Sequence, residues 1–191
     1  MTPAAAAFLF AVALLVLVAG FVTVVTYNSV VALGQRIDKA WANIDVALKQ
    51  RYDELPRLVE AVRGVMAYER GVLEDVTRAR SAYQASDPIP RQAATSDATT
   101  AAVKSLFAVV EKYPEIKSAA NVASLQAEVA RLENVIADRR ELYNDQVYRY
   151  NTRIAQLPGR MFAGLFGWHA REFFASDPDE RERPDVSLAL S

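Results

Sequence analysis

Glu69 is a carboxylate on the apolar face of a long helical stretch, a place from which an acid could do chemistry. The plainer reading is an ion pair with an arginine of a neighbouring helix. The other groups that catalysis uses are scarce. His169 is the single histidine in 191 residues, and cysteine is absent. One histidine cannot supply the two Glu-x-x-His pairs of a helix-bundle di-metal centre. The lack of cysteine removes disulfides, cysteine-ligated zinc and thiol nucleophiles. The sequence has no His-Glu-x-x-His, no Gly-x-x-x-x-Gly-Lys and no Gly-x-Ser-x-Gly. Its carboxylates alternate with arginines, which reads as solvated helix surface. The expectation is a protein that is not an enzyme and uses no metal or other cofactor. A net charge of -1 offers no broad basic field, so nucleic acid is not an expected partner.

Composition indicates which elements position these residues. Hydrophobic residues make up 52% of the chain and charged residues 24%, a mixture of a membrane part and a soluble part. The apolar excess is N-terminal. Ala4 to Thr26 reads AAAAFLFAVALLVLVAGFVTVVT, without a charge. About 23 residues rising about 1.5 Å each can cross a hydrocarbon core of about 30 Å. A cleaved signal peptide competes with this, but Met1-Thr2-Pro3 has no basic side chain and the apolar run is long. Residues 1–27 are therefore read as an uncleaved anchor. Arg36 and Lys39 follow it, with Asp38 between them. The positive-inside rule then puts the N-terminus outside and the bulk of the chain in the cytoplasm.

Beyond the anchor, 28–175 reads as an all-α, elongated, up-and-down helical bundle with long, kinked, coiled-coil-like helices. Ile37, Trp41, Ile44 and Leu48 begin a stripe at spacings of four and three. Leu55, Leu58, Val62 and Val65 continue it, then Val72, Val76, Ala79 and Tyr83. Arg51 and Glu69 interrupt it. Asp53-Arg57, Glu60-Arg63 and Glu74-Arg78 are spaced to pair on the outer face. Ser86-Asp87-Pro88-Ile89-Pro90 should end this element, giving a first helix of about 50 residues and an extended rod. Gln92 to Thr100 is small and polar, so a second helix is expected to start late, near Ser96 or Asp97. Its apolar face is Val103, Leu106, Phe107 and Val110. Tyr113-Pro114-Glu115 breaks or bends the chain. A third helix runs from Ser118 or Asn121 to Gln156, with Val122, Leu125, Val129, Leu132, Ile136, Tyr143, Val147, Tyr150 and Ile154 inward. Leu157-Pro158-Gly159 stops it. The polar tail 176–191 contains Pro178 and Pro184 and is expected to be disordered.

Pro56 falls inside the first helix. An interior proline removes a backbone hydrogen bond and clashes with the preceding turn, at about 3 kcal/mol. The stripe keeps its phase across it, so Pro56 reads as a kink within one helix. A helix end with a tight turn is the alternative.

These segments resemble the LemA family of bacterial membrane proteins. The resemblance runs through Tyr27-Asn28, Trp41, Asn43-Ile44-Asp45-Val46, Leu48-Lys49, Arg51, Asp53 and Leu55-Pro56. It continues through Tyr113-Pro114, Leu125-Gln126, Glu133-Asn134, Arg139, Tyr143-Asn144, Tyr150-Asn151 and Phe173-Phe174. Gly34, Gly71 and Leu132 depart from the family pattern. The resemblance implies one N-terminal anchor in the bacterial inner membrane, the N-terminus outside and a cytoplasmic bundle. It also implies a tie to membrane shaping, because relatives include a magnetosome protein needed to form that organelle's membrane.

Several polar residues recur in the resembling motifs: Asn43, Asp45, Arg51, Asp53, Asn134, Arg139, Asn144 and Asn151. They are either core hydrogen-bonding groups or contacts to another subunit or partner. Trp41 joins them as a core or contact residue. Met161, Phe162, Leu165, Phe166 and Trp168, followed by Phe173 and Phe174, form an apolar patch. It either folds over the end of the bundle or dips into a bilayer or neighbouring subunit. The functional expectation is a membrane scaffold that self-associates as a homo-oligomer and organises the bilayer. The alternative is a monomeric adaptor for a membrane protease or signalling partner.

Overall fold

The computed structural model describes residues 3–63, 69–117 and 119–175, and no strand occurs among them. The helices in chain order are α1 (Pro3–Arg63), α2 (Arg70–Ser81), α3 (Ile89–Val110), α4 (Pro114–Lys117), α5 (Ala120–Ala155) and α6 (Gly159–Phe166). The expected all-α class holds. Val65 of the expected stripe and the tail 176–191 lie outside the described residues.

The described residues fall into two compact units, one from Met1–Lys39 and Asp145–Arg171, the other from Ala40–Asn144 and Glu172–Ser191. In the first unit, the start of α1 is apolar on every side and exposed, with Phe8, Leu17 and Phe21 near 70% accessible. Its character then changes to a single stripe. Thr26, Val30 and Ile37 are buried, with Val147, Tyr150 and Ile154 of α5. A turn with a cis Leu157–Pro158 peptide leads into α6. Gly159 is required there, because a Cβ would collide with the Arg153 carbonyl. Gly167 ends α6 at φ 66°, the left-handed cap that glycine adopts without penalty, and the Trp168 N–H closes on the Ala163 carbonyl at 2.9 Å.

In the second unit, Ile44, Leu48, Leu55, Leu58 and Val62 are all fully buried on α1. Pro56 lies inside this helix and does not end it. The described part of the helix runs to Arg63, and the segment expected to continue it to Tyr83 forms a separate helix, α2. α2 runs back along α1. Tyr83 stacks on Tyr52 with centroids 4.2 Å apart, and the Arg80 Nε donates to the Tyr52 carbonyl at 3.1 Å. The stripe missed the reversal because Leu73 and Val76 of α2 are buried at the same spacing that a continuing helix would use.

α3 starts seven residues before the expected cap at Ser96, with Pro88 as its N-cap residue and a proline in its first turn. Proline is at home there, where its missing N–H has no intrahelical partner to lose. The buried face of α3 is Gln92, Ser96, Thr99, Val103, Leu106 and Val110, a heptad-spaced stripe whose first half is polar. α5 matches its expected stripe closely, with Val122, Val129, Leu132, Ile136 and Tyr143 buried in this unit. Two surface pairs differ from expectation. Arg57 pairs with Glu54 rather than Asp53, and Arg78 with Asp75 rather than Glu74. These exposed pairs contribute little.

Leu132 has no accessible surface, whereas Leu142 is 60% exposed. Leu132→Ala is therefore expected to destabilise the bundle by about 2–5 kcal/mol and Leu142→Ala by under about 0.5 kcal/mol, measured by urea unfolding in detergent.

Candidate functional site

Arg51 sits seven residues after Ile44 and seven before Leu58, so it enters the core where an aliphatic residue would stand. Its side chain has no accessible surface. A buried guanidinium must be paired and hydrogen-bonded. Nη1 donates to Glu133 Oε1 at 3.0 Å and to Thr100 Oγ1 at 3.1 Å. Nη2 donates to Ser96 Oγ at 3.0 Å and to the Tyr52 hydroxyl at 3.2 Å. The Thr100 hydroxyl donates to Glu133 Oε2 at 2.7 Å, and Thr99 and Tyr52 share a further hydroxyl contact at 3.3 Å. Arg51 Nε has no hydrogen-bond partner among the described residues. One side chain of α1 thus holds α3 and α5 together. The partners Ser96, Thr99, Thr100 and Glu133 were not among the sequence candidates.

A second contact set flanks this centre. Asp45 pairs with Lys49 at 2.5 Å and accepts from the Tyr83 hydroxyl at 3.1 Å. Burial first, then the adjacent Asp45 charge, pushes the Tyr83 hydroxyl far above the ordinary tyrosine range. Arg139 donates to the Asn43 carbonyl. Trp41 is half-buried, its ring centroid 5.8 Å from both Tyr143 and Phe174. Asn144 holds the backbone of Phe174 from both sides, accepting its N–H at 2.8 Å and donating to its carbonyl at 3.3 Å. Phe174 is fully buried, below the Arg140 guanidinium at 5.7 Å. Arg140 also pairs with Asp97 at 2.7 Å. Asp53 and Asn134 are exposed, Asn134 on the rim of a polar groove between α3 and α5 that also holds Asp97, Lys104 and Glu141.

In the first unit, Asn151 holds the backbone of Arg171 as Asn144 holds Phe174, at 2.8 and 3.0 Å. The Tyr27 ring meets Phe166 edge-on at 5.1 Å and lies 6.1 Å from Trp168. Phe162 joins Phe166 at 6.1 Å. Met161 and Leu165 point away from these rings, more than 70% exposed. The sequence patch therefore divides. Phe162, Phe166 and Trp168 gather near Tyr27, while Phe174 belongs to the core of the second unit and Phe173 is half-buried.

The groups with catalytic potential stand apart. Glu69 stands at the N-cap position of α2 without a side-chain capping bond, and His169 is exposed. Among the described residues, no group of three His, Cys, Asp or Glu side chains could hold a metal ion. The polar groups assembled here link helices and fix their register.

A model of the LemA family matches residues 40–188, most of the chain. Magnetosome proteins MamQ 1 and MamQ 2 of Paramagnetospirillum magneticum are each 36% identical over 73 residues, which is 38% of this chain. MamQ of Magnetospirillum gryphiswaldense is 32% identical over the same length. The match spans only 27% of each of those relatives.

Removing the carboxylate while keeping the buried cation is the costly change. Glu133→Ala should destabilise by about 3–5 kcal/mol, and adding Arg51→Met to it should restore much of the loss. A double variant no more stable than Glu133→Ala would remove the paired-charge account. Tyr83 gives a pH test. Its proton is held more tightly in the folded chain, so unfolding gains ionisation above pH about 10 and stability falls as pH rises. Tyr83→Phe should make that fall shallower in melts taken between neutral and strongly alkaline pH.

Proposed function

The chain belongs to the LemA family, and on that premise we propose that it is a membrane-anchored, non-enzymatic scaffold whose copies associate and organise or remodel the bilayer that holds them. One observation carries this reading. α1 is long and apolar enough over its first part to cross a membrane, none of its most apolar 18 residues is buried in the fold, and the same helix goes on to supply the core stripe. Exposing that many apolar side chains to water would cost about 1.5–3 kcal/mol each, so a bilayer is the environment that fits them. The likeness to magnetosome proteins supports a membrane setting. We place the anchor in a bacterial inner membrane with the N-terminus outside, on the strength of Arg36 and Lys39.

Self-association is supported by apolar side chains left outside the core. Val46 is 51% exposed and Leu142 60%. Ala42, Ala120 and Ala123 are exposed and small enough for close helix approach, whereas Ala47 is fully buried within the chain.

Full-length protein in mild detergent should run as a defined oligomer by light scattering. After reconstitution it should form regular arrays that alter vesicle shape in electron micrographs. A monomer on undisturbed vesicles would replace this reading with that of an adaptor for a membrane partner.

A further inference from the structure

We infer that α6 is an interfacial helix seated in the bilayer leaflet at the Thr26 end of the anchor. The inference rests on the membrane-anchored reading and adds a second lipid contact to it. Three observations within the first unit carry it.

The first is exposure at helical spacing. Met161 and Leu165, one turn apart on α6, are 72% and 76% exposed, and Leu157 in the turn before the helix is 71% exposed. A surface this apolar, on a helix this short, is covered by something. The second is place. Phe166, the last residue of α6, and Trp168, just past its Gly167 cap, pack on Tyr27. Tyr27 directly follows the uncharged run Ala4 to Thr26. It is the residue at which a spanning helix meets the headgroups, where tyrosine and tryptophan rings are favoured. The exposed face of α6 therefore continues the exposed apolar surface of the anchor. Val24 and Val25, at 58% and 46%, lie next to the Tyr27 contact in sequence.

The third is charge. The first unit carries Arg36, Lys39, Arg149, Arg153, Arg160 and Arg171 against Asp38 and Asp145, a net of +4. The whole chain is -1, which leaves -5 for the rest. The basic excess is thus confined to the unit that holds the anchor and α6. Arg160, in the first turn of α6, and Arg171, five residues past its end, are both exposed, Arg171 lying 3.7 Å from Asp38. Cations flanking an apolar face are what an anionic lipid surface attracts. Apolar side chains enter the acyl region, Trp168 and Tyr27 sit at headgroup depth, and the arginines bind lipid phosphate.

The absence of native cysteine makes the test direct. Single variants Met161→Cys, Leu165→Cys, Val16→Cys and Asp138→Cys of the full chain are labelled with an environment-sensitive fluorophore. They are reconstituted into phosphatidylcholine vesicles containing roughly a quarter phosphatidylglycerol, with nitroxide on shallow or deep acyl carbons. Labels at 161 and 165 should be quenched several-fold more by shallow nitroxide than the label at 138, with the label at 16 quenched by deep nitroxide. Iodide should reach 138 and not 161 or 165. If 16 is quenched while iodide reaches 161 and 165, α6 faces water and the inference is wrong. If 161 and 165 are shielded from both quenchers until the protein is diluted to single copies per vesicle, another chain covers α6 and the inference is equally wrong. An unquenched label at 16 would instead remove the anchored reading itself.

Discussion

A charge placed in register with a hydrophobic stripe has to bring its own partners into the core. Arg51 imposes that constraint on the second unit. It occupies the position that Ile44 and Leu58 occupy one heptad away, and it is as buried as they are. Its guanidinium takes a carboxylate from α5 and hydroxyls from α3. Sliding either helix by one turn would leave a buried cation without a counter-ion, which is far more costly than losing a few aliphatic contacts. Ile44, Leu48 and Leu55 provide the burial energy but would tolerate several registers. The arginine selects one of them.

That same constraint explains which parts of the fold were legible. α5 was, because eight of its nine expected stripe positions are buried apolar side chains at helical spacing, with Leu125 half-buried. α3 was only half legible. Its inner face is one heptad-spaced series, but Gln92, Ser96 and Thr99 resemble linker residues until their partners are known: the Ala85 and Asp87 carbonyls for Gln92, the Arg51 guanidinium for Ser96 and the Tyr52 hydroxyl for Thr99. The small polar run from Gln92 to Thr100 put the expected start near Ser96 or Asp97, whereas the helix begins at Ile89. The reversal between α1 and α2 was hidden for another reason. Leu73 and Val76 fall in phase with α1 although α2 runs back along it, and no proline stands between Arg63 and Arg70. Pro56, the strongest helix breaker in this stretch, lies inside the helix.

The candidate site was legible as a set of residues and illegible as a set of contacts. Arg51, Asn144 and Asn151 stood out among the motifs, but apart from the Glu133 carboxylate and the Tyr52 hydroxyl their partners are backbone carbonyls, backbone N–H groups and small hydroxyls that no motif displays. Asn144 and Asn151 each bind backbone rather than side chain, so the sequence of the held segment carries no sign of them. Phe174 is separated from the aromatic residues before it for the same reason: the asparagine that fixes it also turns its ring into the core.

α1 is read by two solvents in turn. Its first part satisfies all backbone groups internally and exposes only apolar side chains, the requirement for a helix in hydrocarbon. From Val30 onward it buries one face and exposes polar side chains on the other, the requirement for a helix in water. The account stands on the first part lying in a bilayer. Flotation of the full-length protein through a density gradient, after an alkaline wash of the membranes that contain it, tests this most directly. Recovery in the floating lipid fraction is the predicted result. Recovery as soluble, folded protein below the lipid would contradict the account.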